Sequence, residues 1–510
     1  FIGLMYLSSD VSSLVGEDIR SDYYKKINDL SLYETGKYGT STLITRATND
    51  VMQVQNFMIM FLRMVLRIPI LFVGALIFAL QKNVILTLVI LAGIPLLGII
   101  IFIAFKLVMP LFKKYQKRVD KLTLVTRESI NGVRVIRAFG QGDREVKRFH
   151  KTNDDLIDVG YRAGRIMATL NPTINLIFNT VILAVVFFAF QLLKNGNITN
   201  YQDLGNVSAL MQYAMQMLFS VLMLTMTFIM YPRAEVSGKR IEEILNLESS
   251  IVDTGDDTYN DHDFKGKIEY KDVCFKFPDA DKNVLEDITF KAKPGQTIAV
   301  IGSTGSGKST VVNLLPRFFD TTCGTLEIDG INIRDIKLSK LRSLIGFVPQ
   351  TATLFRGTIR SNISYGAEDA SEEEIKRAAQ IAQAEEFILE DDKGYDASVE
   401  QSGNNFSGGQ KQRLSIARAI VKKPKIFVFD DSFSALDFKT DSALRSALRK
   451  EIKSATVFIV AQRIGTIMDA DQIIVLQEGK MVGLGKHDTL LKECSVYREI
   501  ALSQLDEEEM

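Results

Sequence analysis

Cysteine is scarce in this chain. There are three in 510 residues, Cys274, Cys323 and Cys494. They are far apart and follow no metal-ligand spacing, which argues against a thiolate metal site. All three fall in the second half, which the loop charges place in the cytosol, where disulfides are uncommon. They therefore read as thiols, buried or on the surface. An excess of either charge is missing as well. Lys plus Arg total 61 and Asp plus Glu total 61, so nothing points to a nucleic acid or another polyanion as partner. The chain opens on Phe1 rather than Met, so a signal peptide cannot be assessed and the true start is expected to be missing.

The most telling absence is of charge within long runs. Val84 to Phe105, Met167 to Leu193 and Leu204 to Tyr231 carry no charged residue, and Phe57 to Leu80 is broken only by Arg63 and Arg67. A bilayer core needs about 20 apolar helical residues, so four spanning helices are expected, with Phe1 to Leu7 as the cut end of a fifth. Lys and Arg set the orientation. The stretch from Lys106 to Arg165 holds Lys113, Lys114, Lys117, Arg118, Lys121, Arg134, Arg137, Lys147 and Arg148, which makes it cytoplasmic, together with the segment from about Gly16 to Asn56. The link Gln81-Lys82-Asn83 and the stretch Lys194 to Asp203 face outward. Both cytoplasmic segments show helical alternation, so the membrane helices should continue into the cytosol; a separate soluble insertion is the alternative. Arg63 and Arg67 share a helix face, suited to snorkelling or to lining a charged cavity. Met211, Met215 and Met226 fall near one face of the last membrane helix, either as ordinary packing or as a pliable surface for varied apolar ligands.

The second half changes character. Ser249-Ser250 and Asp253-Thr254-Gly255-Asp256-Asp257 read as part of a linker over 236–263. Short apolar strands alternating with amphipathic helices follow over 264–505, an α/β pattern, and 506–510 form an acidic tail. Residues 1–235 make up the membrane domain. The strand Thr297 to Ile301 runs into Gly302-Ser303-Thr304-Gly305-Ser306-Gly307-Lys308-Ser309-Thr310, and a helix follows. This is the context a phosphate-binding loop requires. Glycines let backbone N–H groups approach phosphates, and the helix N-terminus favours the negative charge. Lys308 adds a point charge, while Ser309 can ligand Mg²⁺. A second buried strand, Ile426 to Asp430, ends in the carboxylate expected on the metal side.

From Asn405-Phe406-Ser407-Gly408-Gly409-Gln410 onward the chain resembles the ATPase domain of ABC transporters. Phe347-Val348-Pro349-Gln350 resembles that family's glutamine loop, and Ser434-Ala435-Leu436-Asp437 resembles its D-loop. Phe277 stands where an aromatic ring stacks on adenine, although a core Phe is also a fair reading. In the first half, Thr45 to Val51 and Arg127 to Phe139 resemble the intracellular loops of ABC exporters. The resemblance implies short coupling helices near Leu32 to Lys37 and Phe139 to Glu145. It also implies six membrane helices per half, so the first and part of the second are absent from this sequence.

The same resemblance assigns roles. Gly302, Ser303, Thr304, Gly305, Ser306, Gly307, Lys308, Ser309, Thr310 and Phe277 would bind ATP; Ser309, Gln350 and Asp430 would hold Mg²⁺. Ser407, Gly408, Gly409 and Gln410 would complete the ATP site of a partner chain, next to the D-loop Asp437. At the catalytic positions, where Gln350 also stands, the chain departs from the family. Asp431 replaces the usual Glu, Gln462 replaces the usual His, and Gln401 stands where a Glu is common. Asp is shorter than Glu by one methylene, roughly 1.5 Å, and a misplacement of about 1 Å can cost on the order of 10²-fold in rate. The expectation is half of a heterodimeric, bacterial, multidrug-type exporter with membrane lipid around it and a hydrophobic or amphipathic cargo. Its own ATP site would hydrolyse poorly and its signature would be intact. A sensor or gate without net transport, and a lipid or peptide exporter, are the alternatives.

Overall fold

The computed structural model describes residues 2–194, 201–256, 259 and 264–504. The acidic tail and most of the outward stretch near 195–200 lie outside these residues. The chain divides into two compact units. One comprises Phe1–Ile27 and Ser41–Leu247, the other Asn28–Thr40 and Glu248–Met510.

The first half is helical. Its elements are α1 Ile2–Asp29, α2 Leu32–Tyr38, α3 Thr40–Thr45, a π-helical turn Arg46–Asp50, α4 Val51–Lys82, α5 Val84–Asn131, α6 Val133–Ala138, α7 Gly142–Lys194 and α8 Tyr201–Leu245. Four helices among the described residues are long and apolar enough to cross a membrane. Their apolar parts pack through Leu86, Ile90 and Leu97 of α5, Val181 and Val185 of α7, and Ala214 and Met217 of α8. Gly93 sets the closest approach, since a Cβ there would lie 2.5 Å from Val181. Met215, in contrast, is exposed, and the side chain of Met226 lies outside the described residues, so no single methionine face can be drawn.

Helix length explains the charged segments. α5 has 48 residues and α7 has 53. At about 1.5 Å per residue each exceeds twice the roughly 30 Å of a bilayer core. The charged halves are therefore extensions of the same helices, laced by Arg118–Asp155 and Arg148–Glu128 pairs, and not a separate insertion. The short helix between them is α6, Val133–Ala138, rather than Phe139 to Glu145. Gly140 turns the chain with φ +62°, and Asp143 and Glu145 already open α7, where acidic groups favour a helix start. Arg63, half-buried, donates from Nε to Ser8 Oγ of α1 at 2.9 Å. In the motif Thr45 to Val51, the π turn aims Asp50 at Ser237 (2.7 Å) and Arg46 at Glu243 (2.8 Å), both on α8. Insertions of this kind rotate the helix face that follows.

The second unit contains a ten-stranded sheet, in the spatial order 331–332, 323–328, 268–275, 285–292, 480–485, 472–477, 297–302, 456–460, 426–430, 345–348. Its last five strands pair in parallel around 297–302 and 426–430. Strands 426–430 and 456–460 are buried at every position, as expected for parallel strands covered on both faces. The segment assigned to a linker is partly helix, because α8 runs to Leu245. Further along, Asp256 N donates to Asp335 O at 2.9 Å, stitching the segment to the domain.

The cysteine expectation is overturned. Cys274 and Cys323 are register partners on antiparallel strands, with Cα atoms 4.9 Å apart, and they form a disulfide. Forty-nine positions separate them, so sequence spacing hid a pair that strand pairing brings together. Cys494 is a buried thiol. Closing a loop of this size stabilises by about 2–4 kcal/mol. Cys274→Ser should therefore lower the melting transition of this unit in the full chain by several degrees, and reductant should bring the wild type to the same value. Identical melting of oxidised and reduced protein would rule the bridge out.

Candidate nucleotide site

Strand 297–302 is central, between 472–477 and 456–460, so its C-terminal end opens at the middle of the sheet edge. There the chain must turn sharply into the helix Lys308–Leu314. Gly302 lies so close to the neighbouring strand that a Cβ would sit 2.2 Å from Leu476 O. Gly307 caps the helix with φ +95°, and a Cβ there would meet Leu285 at 2.7 Å. The loop between them carries Ser303, Thr304, Gly305 and Ser306; Thr310 follows in the first helical turn. Ser306 Oγ is buried and among the described residues has no hydrogen-bond partner, which makes it a donor suited to a phosphate oxygen. Lys308 Nζ donates to the carbonyls of Gly302 (2.9 Å) and Ser303 (2.8 Å). Burial pulls the lysine below its ordinary range, while Asp431 and Asp430 act against that.

The carboxylates come from the next strands. Asp430 ends the buried strand 426–430, and its Oδ1 accepts from Ser309 Oγ at 2.8 Å. Burial raises the Asp430 carboxyl; the Ser309 hydrogen bond opposes the rise, and Asp431 adds to it. Two oxygen donors held together in this way suit Mg²⁺, which takes one or two protein oxygens and fills its shell with phosphate and water. Among the described residues no cluster of three His, Cys, Asp or Glu could form an all-protein cage.

Strands 345–348 and 456–460 flank 426–430, with Val348 opposite Phe429 and Val460 opposite Asp430. Two residues beyond each flanking strand stands a glutamine. Both reach Asp431 Oδ2, Gln350 Nε2 at 3.0 Å and Gln462 Nε2 at 2.7 Å. The three residues chosen from sequence as catalytic positions are thus one hydrogen-bonded cluster. Gln350 is tied to Asp431 rather than to Ser309 or Asp430. Asp431 itself is buried and has φ +49°, a conformation that costs a non-glycine residue energy.

The signature residues fold as a helix start. Ser407 and Gln410 form a capping box at the head of helix Gly408–Val421, which leaves the first turn to present backbone N–H groups. This turn packs on the D-loop, where a Cβ on Gly409 would meet Ala435 O at 3.2 Å. Asp437 caps the following helix, accepting from Thr440 N at 2.9 Å. Phe277 is half-buried, edge-on to Phe275 (4.8 Å) and Phe319 (5.4 Å). Sequence reasoning missed Phe319 and also Gln412, whose Nε2 donates to Pro349 O at 3.0 Å and ties the signature helix to the glutamine loop. The only sequence signal for Phe319 was a Phe-Phe pair just past the phosphate-loop helix.

Comparison with known proteins fits this geometry. Residues 2–221 match a family model described as ABC transporter transmembrane region, and residues 285–434 match one described as ABC transporter. An uncharacterized ABC transporter ATP-binding protein of Mycobacterium tuberculosis is 38% identical over 99% of this chain and 86% of its own length. This chain is an ABC transporter. The YfiB protein of Bacillus subtilis, an uncharacterized ABC transporter ATP-binding protein, is likewise 38% identical over 99% of the chain and 86% of its own length. The structure of a bacterial Atm1-family ABC exporter with ATP bound matches with TM-score 0.80 at 25% identity, covering 98% of this chain and 86% of that one. The protein is an ATP-driven ABC exporter half, with a helical transmembrane domain fused to an α/β ATPase domain that binds ATP.

In this ABC transporter, Asp430 carries a testable cost. Its carboxyl is raised above the unfolded value by burial, so the fold disfavours the ionised form. That penalty is full above the folded pKa, shrinks as pH falls through it, and is gone below the unfolded value. Asp430→Asn should therefore raise the melting temperature of nucleotide-free protein at pH 7 and abolish the extra stabilisation by Mg-ATP over ATP with chelator. An unchanged Mg²⁺ effect in thermal melts would exclude Asp430 from the metal side.

Proposed function

We propose that this exporter half works with a second, non-identical half in a bacterial cell membrane, ATPase domains in the cytoplasm, and expels hydrophobic or amphipathic compounds. ATP binds at two composite sites. This chain lends its phosphate loop to one, and its signature turn, Ser407 to Gln410, to the other. Hydrolysis runs mainly at the site whose catalytic acid comes from the partner.

The observation that carries this reading is the bonding of Asp431. Each carboxylate oxygen has two lone pairs, and both on Oδ2 are taken by the Gln350 and Gln462 amides. A short acid, already engaged by two donors, is poorly placed to orient a water toward a γ-phosphate. Gln462 can donate a hydrogen bond there but carries no charge or transferable proton. Meanwhile the binding parts, Lys308, Ser309 and Asp430, keep the geometry for holding nucleotide. Mg²⁺, when bound, neutralises charge on the phosphates, with Ser309 and Asp430 as its protein ligands. For the cargo, support comes from YgaD of Bacillus subtilis, 33% identical over 97% of this chain and 84% of its own length, which carries a provisional name as a multidrug export ATP-binding/permease protein.

Two measurements test the asymmetry. Asp431→Asn should leave ATP turnover of the native complex within about twofold, while removing the partner's catalytic Glu should lower it at least 10²-fold. Equal losses would end the asymmetric reading, as would rapid phosphate release from this chain purified without a partner. In inside-out vesicles a pump accumulates a fluorescent apolar cation against its gradient, and a gate does not.

A further inference from the structure

The helix α2 is only seven residues long, and the chain places it between α1 and α3 of the membrane unit, yet it packs as part of the ATPase unit. Two tethers hold it there. At its start, Glu34 is 5% exposed. One of its oxygens closes a capping box on Ser31 N (2.9 Å), and the other accepts from Ser250 N (3.2 Å). Ser31 and Ser250 hydroxyls also meet at 3.0 Å. From Ser250 the chain runs through buried Ile251 to Val252, whose carbonyl accepts from Arg317 Nη2 at 3.2 Å. Arg317, itself 3% exposed, forks onto Asp320 at 2.7 and 3.1 Å. Phe319 stands between those two residues.

The second tether runs from Tyr33 and Lys37. Tyr33 OH donates to Asp279 Oδ2, and Lys37 Nζ lies 3.9 Å from the same oxygen. Asp279 sits in the turn closed by Ala280 N donating to Phe277 O at 3.0 Å. Phe277 and Phe319 are in edge contact at 5.4 Å. Both tethers therefore end within two residues of one ring pair. The Tyr33 hydrogen bond is charge-assisted, a strong class. It pushes the phenol up to about 12, so the donor proton stays in place at neutral pH.

We propose that α2 is a positioning element for the base of the nucleotide: Tyr33 and Glu34 hold the turn of Phe277 and the segment of Phe319, whose edge-on contact fixes the Phe277 ring on which a purine would stack. The inference rests on the assignment of Phe277 to adenine. The phosphate loop makes none of these contacts, so α2 acts on the base end of the nucleotide and leaves the triphosphate end alone.

The test is equilibrium binding of radiolabelled Mg-ATP to the full chain in lipid nanodiscs, with competition by GTP and inorganic tripolyphosphate. Tyr33→Phe keeps the ring and removes the donor. It should weaken ATP about three- to tenfold, narrow the preference for ATP over GTP, and leave tripolyphosphate binding unchanged. Glu34→Gln should act in the same direction through the other tether. Phe277→Ala should weaken ATP further, and adding Tyr33→Phe to it should cost nothing more. Equal loss of ATP and tripolyphosphate, or additive losses in the double variant, would overturn the proposal. If Phe277→Ala itself leaves ATP affinity untouched, the adenine assignment falls and the inference with it; if only Tyr33→Phe and Glu34→Gln are silent, the inference falls alone.

Discussion

Two adjacent carboxylates at the end of one fully buried strand govern this site. Asp430 closes the strand 426–430, every residue of which is buried, and Asp431 follows it in a left-handed turn. Burying acids is expensive unless each is hydrogen-bonded. The fold meets that demand by bringing one donor to Asp430, Ser309, and two to Asp431, Gln350 and Gln462. Those donors belong to three other segments, so satisfying the acids assembles the phosphate-loop helix and the ends of both flanking strands in one place. The site is a consequence of packing an apolar strand that ends in charge.

The same economy extends outward. Gln412 of the signature helix bonds the carbonyl of Pro349, next to Gln350, and Ser432 Oγ bonds Val348 O at 2.9 Å. A shift of the glutamine loop is therefore felt by the signature helix and by the carboxylate cluster together. In the same unit, the antiparallel strands carry the Cys274–Cys323 bridge, whose closed loop contains the whole phosphate-binding segment. The nucleotide site is braced from the parallel sheet and from the antiparallel strands at once.

The parts legible in the sequence were those with a local physical signature. Charge-free runs announced the long apolar helices, glycines at fixed spacing announced the loop, and the strand ending in Asp430 announced the carboxylate that meets Ser309. What was not legible depended on register between distant segments. Cys274 and Cys323 look unrelated in sequence and are neighbours only because two strands pair. The linker boundary was blurred because α8 stays helical after its apolar stretch ends. The second intracellular helix was displaced by a few residues because charged helical alternation runs unbroken through Val133 to Glu145, and only the turn at Gly140 divides it. Phe319 carried no motif; its place beside Phe277 follows from the sheet.

The departures at 431 and 462 are best understood as one structural fact. Gln462 reaches Asp431 at 2.7 Å and Gln350 reaches the same oxygen at 3.0 Å, so the pocket around the acid is already closed by two amides. A Glu at 431 would extend the carboxylate by roughly 1.5 Å, about one methylene, and would have to displace one amide or swing past both. Shortening the acid while keeping a neutral amide at 462 leaves Asp431 Oδ2 paired with both glutamine amides, and an unpaired buried group would cost on the order of 1–3 kcal/mol. In the asymmetric reading proposed above, what is lost is reach toward an attacking water: such a site would keep its contacts to nucleotide and give up those that cut it, so that one nucleotide stays in place while the other is turned over.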